Sequence, residues 1–184
     1  MAPERLAYGP GRSQRIDLYR PAGPRSAPVI ALLHGGYWRA RYGKALMAPM
    51  AAALADHGWA VANIEYRRVG LGGGGGGWPA TFDDVAAAVD HLAAVPGLDP
   101  ARVVTVGHSA GGHLALWAAG RHRIDGGAPG AAPSVTPVAA IALAGVVDLA
   151  RAAALGLGAG AVPALMGGLP ADVPDRYAAG SPAA

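Results

Sequence analysis

Gly107-His108-Ser109-Ala110-Gly111 is the stretch that decides the fold of this chain. It fits the Gly-x-Ser-x-Gly pattern of a nucleophile elbow, in which a strand turns sharply into a helix and a serine occupies the strained turn. The flanking residues agree, because 102–106 is a β-branched run typical of a buried strand and 112–119 has helical composition. The two glycines leave room for the close backbone approach of such a turn. We therefore predict that Ser109 is a catalytic nucleophile at the carboxyl edge of a sheet.

A second motif lies upstream, where a strand-like apolar run ends in His34-Gly35-Gly36-Tyr37-Trp38. Acyl transfer builds negative charge on an oxygen, and that charge needs N–H donors aimed at it in advance. In hydrolases with a serine elbow, one donor is the backbone N–H after the nucleophile, here Ala110, and the others come from a glycine loop. We expect Gly35 to permit the turn, and Gly36 and Tyr37 to donate. The alternative interpretation is an ordinary strand-to-helix turn.

Aromatic and basic residues follow directly on this loop: Tyr37, Trp38, Arg39, Arg41 and Lys44. Such a cluster could line an acyl or aryl pocket and attract a substrate carboxylate. The alternative is an amphipathic loop that covers the end of the sheet and keeps its charges in water. Trp38 and His108 are the candidate residues for a substrate pocket.

Both motifs resemble those of the α/β-hydrolase fold, in its esterase and lipase branch with a His-Gly-Gly loop, and most of all those of kynurenine formamidase-like and related small carboxylesterases. The resemblance runs from about residue 13 to the end, in the family's order, through four segments: His34-Gly-Gly-Tyr-Trp38, Asn63-Ile-Glu-Tyr-Arg-Arg68, Trp78-Pro-Ala-Thr-Phe-Asp-Asp84 and Gly107-His-Ser-Ala-Gly-Gly-His-Leu-Ala115. It implies a serine hydrolase that acts on a small-molecule carboxylic ester or aryl formamide through an acyl-enzyme on Ser109, with no metal or organic cofactor.

The pattern of apolar runs predicts an α/β fold with a doubly wound, mostly parallel sheet and helices on both faces. We expect one domain over 1–184, with a flexible segment at 1–12 and a glycine-rich surface loop at 70–79. The predicted strands are 15–19, 29–33, 59–66, 102–106 and 137–144, and the predicted helices are 43–57, 81–95 and 110–121.

Composition excludes several classes of function. The formal net charge is +3 with arginines scattered singly, which argues against a nucleic-acid partner. The run Gly72–Gly77 is not followed by Lys-Ser or Lys-Thr, so we expect a flexible surface loop and not a phosphate loop. The hydrophobic region 135–169 is interrupted by charges, Gly and Pro, so we expect no membrane span. Residues 1–15 lack the apolar stretch of a signal peptide, and we expect a cytoplasmic protein. The oligomeric state stays open.

The base of a catalytic triad is missing from the expected place. In this fold the nucleophile is followed along the chain by an acid and then a histidine, yet no histidine follows His122. The simplest explanation is that the sequence lacks roughly the last third of the fold, two strands and their helices. The alternative function is then a non-catalytic, hydrolase-derived fragment or binding module. The chain alone should hydrolyse p-nitrophenyl acetate negligibly and expose 138–144 as an uncovered sheet edge.

The histidines and the carboxylate that are present could only replace the missing base and acid if they lay beside Ser109. We expect structural roles for all six histidines: His34, His57, His91, His108, His113 and His122. His34 should brace the glycine loop, and His113 should pack beneath the elbow. Asp148 is the carboxylate of most interest because it follows the predicted strand 137–144, although a structural role is favoured for it as well. If the short chain proves active, His113 or His34 with Asp148 become the candidates.

Overall fold

A computed structural model of the chain describes residues 2–23, 26–124 and 126–184. They contain a six-stranded sheet in the order β1-β2-β4-β3-β5-β6. Strands β3 to β6 run parallel to one another, while β1 and β2 are antiparallel to their neighbours. The bounds are β1 Glu4–Ala7, β2 Arg15–Tyr19, β3 Ala27–Leu33, β4 Ala60–Ile64, β5 Leu98–His108 and β6 Ala139–Leu143. The α/β fold with a mostly parallel sheet is therefore confirmed.

Helices cover both faces of the sheet. Their bounds are α1 Ala48–Asp56, α2 Ala80–His91, α3 Ala110–Gly120, α4 Leu149–Ala154, α5 Ala161–Met166 and α6 Pro174–Gly180. On one face α1 buries Ala51 against Ile30 and Leu32 of β3. On the other, α2 and α3 contribute Phe82 and Leu114 to the larger core. Strand β3 is apolar at nearly every position because it is buried on both faces.

The sequence predicts the central strands well and the ends of the chain poorly. Strand β5 begins at Leu98, earlier than 102, because Leu98 pairs with Ala27 across a register shift. The predicted helix 43–57 is a 3₁₀ turn at Lys44–Met47 followed by α1. The segment 1–12 contains β1, which pairs antiparallel with β2 and which the sequence does not predict, whereas the expected flexibility of this segment stays a prediction.

The run Gly72–Gly77 lies on the surface but has a defined backbone. The N–H of Arg68 donates to the carbonyl of Gly73 at 2.7 Å, and the N–H of Gly76 donates back to the carbonyl of Arg68 at 3.0 Å. A Cβ on Gly73 would lie 2.1 Å from that same Arg68 carbonyl oxygen. The glycines therefore let the loop fold closely against the Arg68 backbone, and its flexibility stays a prediction.

Candidate active site

Ser109 lies on the sharp turn that joins β5 to α3. Its backbone angles are φ 53° and ψ −116°, a positive-φ conformation that is strained for a residue with a side chain. Two hydrogen bonds hold the turn: the Ser109 N–H donates to the Leu143 carbonyl at 2.8 Å, and the His113 N–H donates to the Ser109 carbonyl at 3.0 Å. The predicted strand–turn–helix geometry at the carboxyl end of β5 is therefore present, with the serine half-buried.

The glycines that flank Ser109 are required by close backbone contacts. A Cβ on Gly107 would lie 2.1 Å from the carbonyl oxygen of Gly111, and a Cβ on Gly111 would lie 2.1 Å from the carbonyl oxygen of Leu33. These distances are too short for any side chain. The elbow therefore brings the start of α3 directly onto the ends of β3 and β5.

The glycine loop after β3 lies against the elbow. Leu33, the last residue of β3, pairs with Gly107, so His34 follows β3 next to His108, the last residue of β5. A Cβ on Gly35 would lie 3.4 Å from the Cβ of Ser109 and 2.7 Å from the carbonyl oxygen of His108. The two motifs that the sequence separates are thus adjacent, and Gly35 has to be a glycine for them to approach.

Three backbone amides near Ser109 are available as donors. Within the part of the chain that the structure describes, the N–H groups of Gly36, Tyr37 and Ala110 donate no hydrogen bond. Ala110 is the first residue of α3, whose leading N–H groups have no intrahelical acceptor and carry the positive end of the helix dipole. These are the amides predicted for an oxyanion hole, and their convergence on one oxygen stays a prediction.

The backbone of the glycine loop is strained and is held from outside. Gly36, Tyr37 and Trp38 have φ values of 114°, 54° and 55° in succession. The Trp38 carbonyl accepts from the Val69 N–H at 2.8 Å. The Arg39 guanidinium donates to the Gly158 and Ala159 carbonyls at 2.6 and 2.9 Å, which fixes the segment after α4 beside the loop. Without such contacts from outside the loop, the strained backbone would adopt a conformation of lower energy.

Trp38 and His108 have different surroundings. Trp38 is 1% exposed and meets the His113 ring edge-on at 5.3 Å, and its buried indole N–H has no hydrogen-bond partner among the described residues. That burial favours core packing, and a pocket role for Trp38 stays a prediction. His108 is exposed beside Gly35, where it stays a candidate for contact with substrate.

His34 braces the glycine loop, in agreement with its expected role. Its Nε2 lies 2.8 Å from Glu65 Oε1, its Nδ1 lies 2.8 Å from the Gly35 carbonyl oxygen, and its ring stacks on Tyr66 at 4.3 Å. The Tyr66 hydroxyl donates to the His34 carbonyl at 2.7 Å. With both ring nitrogens engaged away from Ser109, His34 is placed to position the loop.

Glu65 is a site residue to which sequence reasoning assigns no role. Its burial favours the neutral carboxyl, but hydrogen bonds and charges from His34 and Arg68 and the N–H of Lys44 outweigh that effect and lower the pKa of Glu65. The carboxylate is therefore ionised at neutral pH and anchors His34. Two features of the sequence point to it: Glu65 follows directly after β4, the strand next to β3, and it lies in the segment 63–68 that carries part of the family resemblance.

His113 lies in the core and not beside the serine hydroxyl. It is fully buried, its Nε2 lies 2.8 Å from the Gly180 carbonyl oxygen, and burial lowers its pKa to about 4. The other candidates are also engaged elsewhere. His57 and His122 contact carbonyls near helix ends, and the Asp148 carboxylate caps α4 by accepting from the Arg151 N–H at 2.8 Å.

Among residues 2–23, 26–124 and 126–184, no three His, Asp or Glu side chains are grouped as metal ligands. Over the same residues, no helix has the length and apolar character needed to cross a membrane.

The chain is similar to known ester hydrolases. It is 35% identical over 114 residues to a probable isoprenylcysteine α-carbonyl methylesterase, ICME, of Oryza sativa subsp. japonica, covering 61% of this chain and 27% of that protein. It is 31% identical over 155 residues to the probable carboxylic ester hydrolase LipM of Mycobacterium tuberculosis, covering 79% of this chain and 35% of LipM. The matched part of the chain thus spans 27% and 35% of the length of these two relatives.

Solved structures and a family model agree with these relatives. A truncated form of a carbohydrate esterase from gut microbiota superimposes with a TM-score of 0.79 at 23% identity, covering 99% of this chain and 74% of that one, which shows the shared fold. The likeness to kynurenine formamidases stays a prediction. The BD-FAE family model matches residues 16–184. The chain therefore belongs to the BD-FAE family, among the esterases of the α/β-hydrolase fold.

Proposed function

We propose that Ser109 is the nucleophile of a serine carboxylesterase and that the N–H groups of Gly36, Tyr37 and Ala110 bind the oxyanion. The observation that carries this proposal is the strained Ser109 turn packed against Gly35, the first glycine of a loop whose next two backbone amides, like that of Ala110, donate no hydrogen bond within the described residues. Backbone strain costs free energy and is found where a reaction needs groups aimed in advance, and N–H groups that the protein leaves unbonded can donate to an oxyanion.

The reaction follows from this arrangement. The Ser109 oxygen attacks the substrate carbonyl carbon, and the carbonyl oxygen gains a negative charge that the amides stabilise. When the tetrahedral intermediate collapses, the alcohol leaves with a proton and the acyl group stays on Ser109. Water then attacks the acyl-enzyme and releases the acid. The attacking hydroxyl must lose its proton to a base.

A carboxylic ester is the preferred substrate class, because both relatives described above are named as ester hydrolases. An aryl formamide needs the same nucleophile and the same oxyanion donors, so it stays open as a second substrate class. The competing function is a non-catalytic module that retains the fold and the pocket residues. The placement of the six histidines supports that alternative, since the three nearest the elbow in the fold are engaged elsewhere or exposed.

The oxyanion hole can be tested without a base, by replacing Ser109 with cysteine. The chain has no cysteine of its own, and a thiol of pKa ~8.5 ionises unaided at mildly alkaline pH. We expect Ser109→Cys to be acetylated by p-nitrophenyl acetate with a stoichiometric release of p-nitrophenolate. The ratio of its acetylation rate to its alkylation rate with iodoacetamide should be high, because only acetylation builds an oxyanion.

The matched control is Ser134→Cys, which places a thiol on an exposed loop. We expect the acetylation-to-alkylation ratio of Ser109→Cys to exceed that of Ser134→Cys by about 10²-fold, the effect of one good oxyanion donor. Adding Gly35→Ala to Ser109→Cys should abolish the excess, since the new methyl group would meet the His108 carbonyl at 2.7 Å. Equal ratios at positions 109 and 134 would leave the non-catalytic module as the better account.

A second test uses the unmodified chain and rests on the need for a base that accepts the proton of the Ser109 hydroxyl. Without a base beside Ser109, the 184-residue chain should hydrolyse p-nitrophenyl acetate negligibly. Removal of a triad member in a serine protease leaves only ~10³–10⁴-fold catalysis over water. Added imidazole should raise the rate above that of the Ser109→Ala variant measured at the same imidazole concentration. Robust turnover by the chain alone, lost in Ser109→Ala, would instead make His113 or His34 the base.

A further inference from the structure

A recess of about 500 Å³ lies beside the β1–β2 hairpin, away from Ser109. We call it the arginine recess, because its lining includes five cationic side chains: Arg5, Arg12, Arg15, Lys44 and Arg68. Gly72 of the glycine-rich run is also part of the lining. Neither the oxyanion loop nor the elbow contributes to this lining, so the mechanism proposed above leaves the recess without a role.

The cations of the arginine recess are only partly neutralised. Lys44 is paired with Asp17, and Arg68 lies 3.3 Å from Glu65. These two carboxylates are the acidic residues of the lining. Arg5, Arg12 and Arg15 form no ion pair with any other part of the chain that the structure describes. The excess of three positive charges equals the formal net charge of the whole protein, +3.

Strand pairing places these side chains on one face. Arg5 is opposite Asp17 and Ala7 is opposite Arg15 in the β1–β2 ladder, so Arg5 and Arg15 project from the same side of the hairpin. That side is also the side of Lys44, which reaches Asp17. The exposed Arg12 lies in the turn that joins the two strands. The local fold therefore gathers charges that the sequence scatters.

Arg15 is oriented before any ligand arrives. Its Nη1 donates to the carbonyls of Gly9, Gly11 and Gln14 at 2.9, 2.6 and 2.8 Å. In the described residues its Nε and Nη2 have no hydrogen-bond partner. A guanidinium fixed at one nitrogen and free at the others loses little freedom when it binds, and its planar fork matches the paired oxygens of a phosphate or carboxylate.

We propose that the arginine recess binds an anionic group, a phosphate or a carboxylate, at a site separate from that of acyl transfer. The separation follows from the register, in which Ile16, Ile64, Leu33 and Gly107 lie in one row across β2, β4, β3 and β5. Three strand spacings of ~4.8 Å put Arg15 about 14 Å from the elbow. The site therefore holds either a separate anion or a remote acidic group of a long ligand.

The test measures binding of inorganic phosphate and of succinate by isothermal titration calorimetry at low ionic strength. Arg5→Gln/Arg12→Gln removes two exposed cations from the recess, and Arg123→Gln/Arg151→Gln removes two exposed cations elsewhere. Both double variants lower the net charge by the same amount, so non-specific attraction falls equally. We expect the first pair to weaken binding about tenfold, as for partly exposed charge-assisted hydrogen bonds, and the second pair to leave it unchanged.

Each outcome decides a point. Phosphate binding alone identifies a phosphoryl site, succinate binding alone identifies a carboxylate site, and binding of both identifies a general anion site, provided that only Arg5→Gln/Arg12→Gln weakens it. The proposal is overturned if neither anion saturates, or if both double variants weaken binding alike. None of these outcomes involves Ser109, so the result is independent of the esterase proposal.

Discussion

At the scale of single residues, the proposed site concentrates backbone strain. Ser109, Tyr37 and Trp38 all have φ near +55°, although none is a glycine. Each such residue costs on the order of 1–3 kcal/mol and persists only where its surroundings hold it. For Ser109 the holding contacts are the bonds to Leu143 and His113, and for Trp38 the bond to Val69. Hydrogen bonds from neighbouring segments therefore hold the strained backbone of the site in place.

His113 gives a pH-dependent stability prediction. Burial lowers its pKa to about 4, against 6.5 in an unfolded chain, so below pH 6.5 the unfolded state binds the proton that the folded state resists. Its neutral form should stabilise the fold fully above pH 6.5, and that contribution should fall by ~3 kcal/mol as the pH drops to 4.

The measurement is the free energy of unfolding of wild type and His113→Leu between pH 7 and 4. As the pH falls, the free energy of unfolding of wild type should decrease more than that of His113→Leu, because leucine takes up no proton in the unfolded state. Exposed His122→Gln, at the end of α3, serves as the control and should run parallel to wild type. A pH-independent difference for His113→Leu would contradict a depressed pKa.

At the scale of elements, the glycine-rich run behaves as a fitted loop. Gly73→Ala would place a methyl group 2.1 Å from the Arg68 carbonyl oxygen. The methyl group of Gly75→Ala would meet no described atom within 4 Å, so its cost is only the strain of a φ of +79°. We expect Gly73→Ala to lower the free energy of unfolding by ~2–3 kcal/mol and Gly75→Ala by ~1 kcal/mol. Urea denaturation of both variants measures this, and equal losses would mean that the loop is as loose as its composition suggests.

Contacts between residues that are distant in sequence mark the limit of what the sequence can predict. The elbow at Ser109 is predictable because its strand, turn and helix are consecutive and follow local rules. Partners that lie far apart in sequence are not: Glu65 reaches His34 across 31 residues, and Arg39 holds Gly158 across 119. Residue types alone give no distance between such groups. The arginine recess is likewise invisible until strand pairing sets its register.

At the scale of the whole molecule, the two edges of the sheet differ. The β1 edge is next to the arginine recess and presents charge. The β6 edge is apolar, with Ile141 50% exposed and Val138 and Leu143 also exposed. Ile141 is opposite Val106, on the face that α1 covers over β3 and β4, and α1 does not extend to β6. An exposed apolar edge strand is a template for pairing with another chain.

We therefore expect this 184-residue chain to self-associate through β6. Ile141→Lys should weaken the association roughly tenfold or more, because burial of one such side chain contributes ~1.5–3 kcal/mol and a lysine opposes edge pairing. Sedimentation velocity over a range of protein concentrations measures the effect. Leu71→Lys, which changes a fully exposed leucine in the distant glycine-rich loop, is the matched control and should associate like wild type. Since Ile141 contributes little to the core, its variant should unfold within ~0.5 kcal/mol of wild type. If both lysine variants weaken association equally, general charge and not the β6 edge governs it.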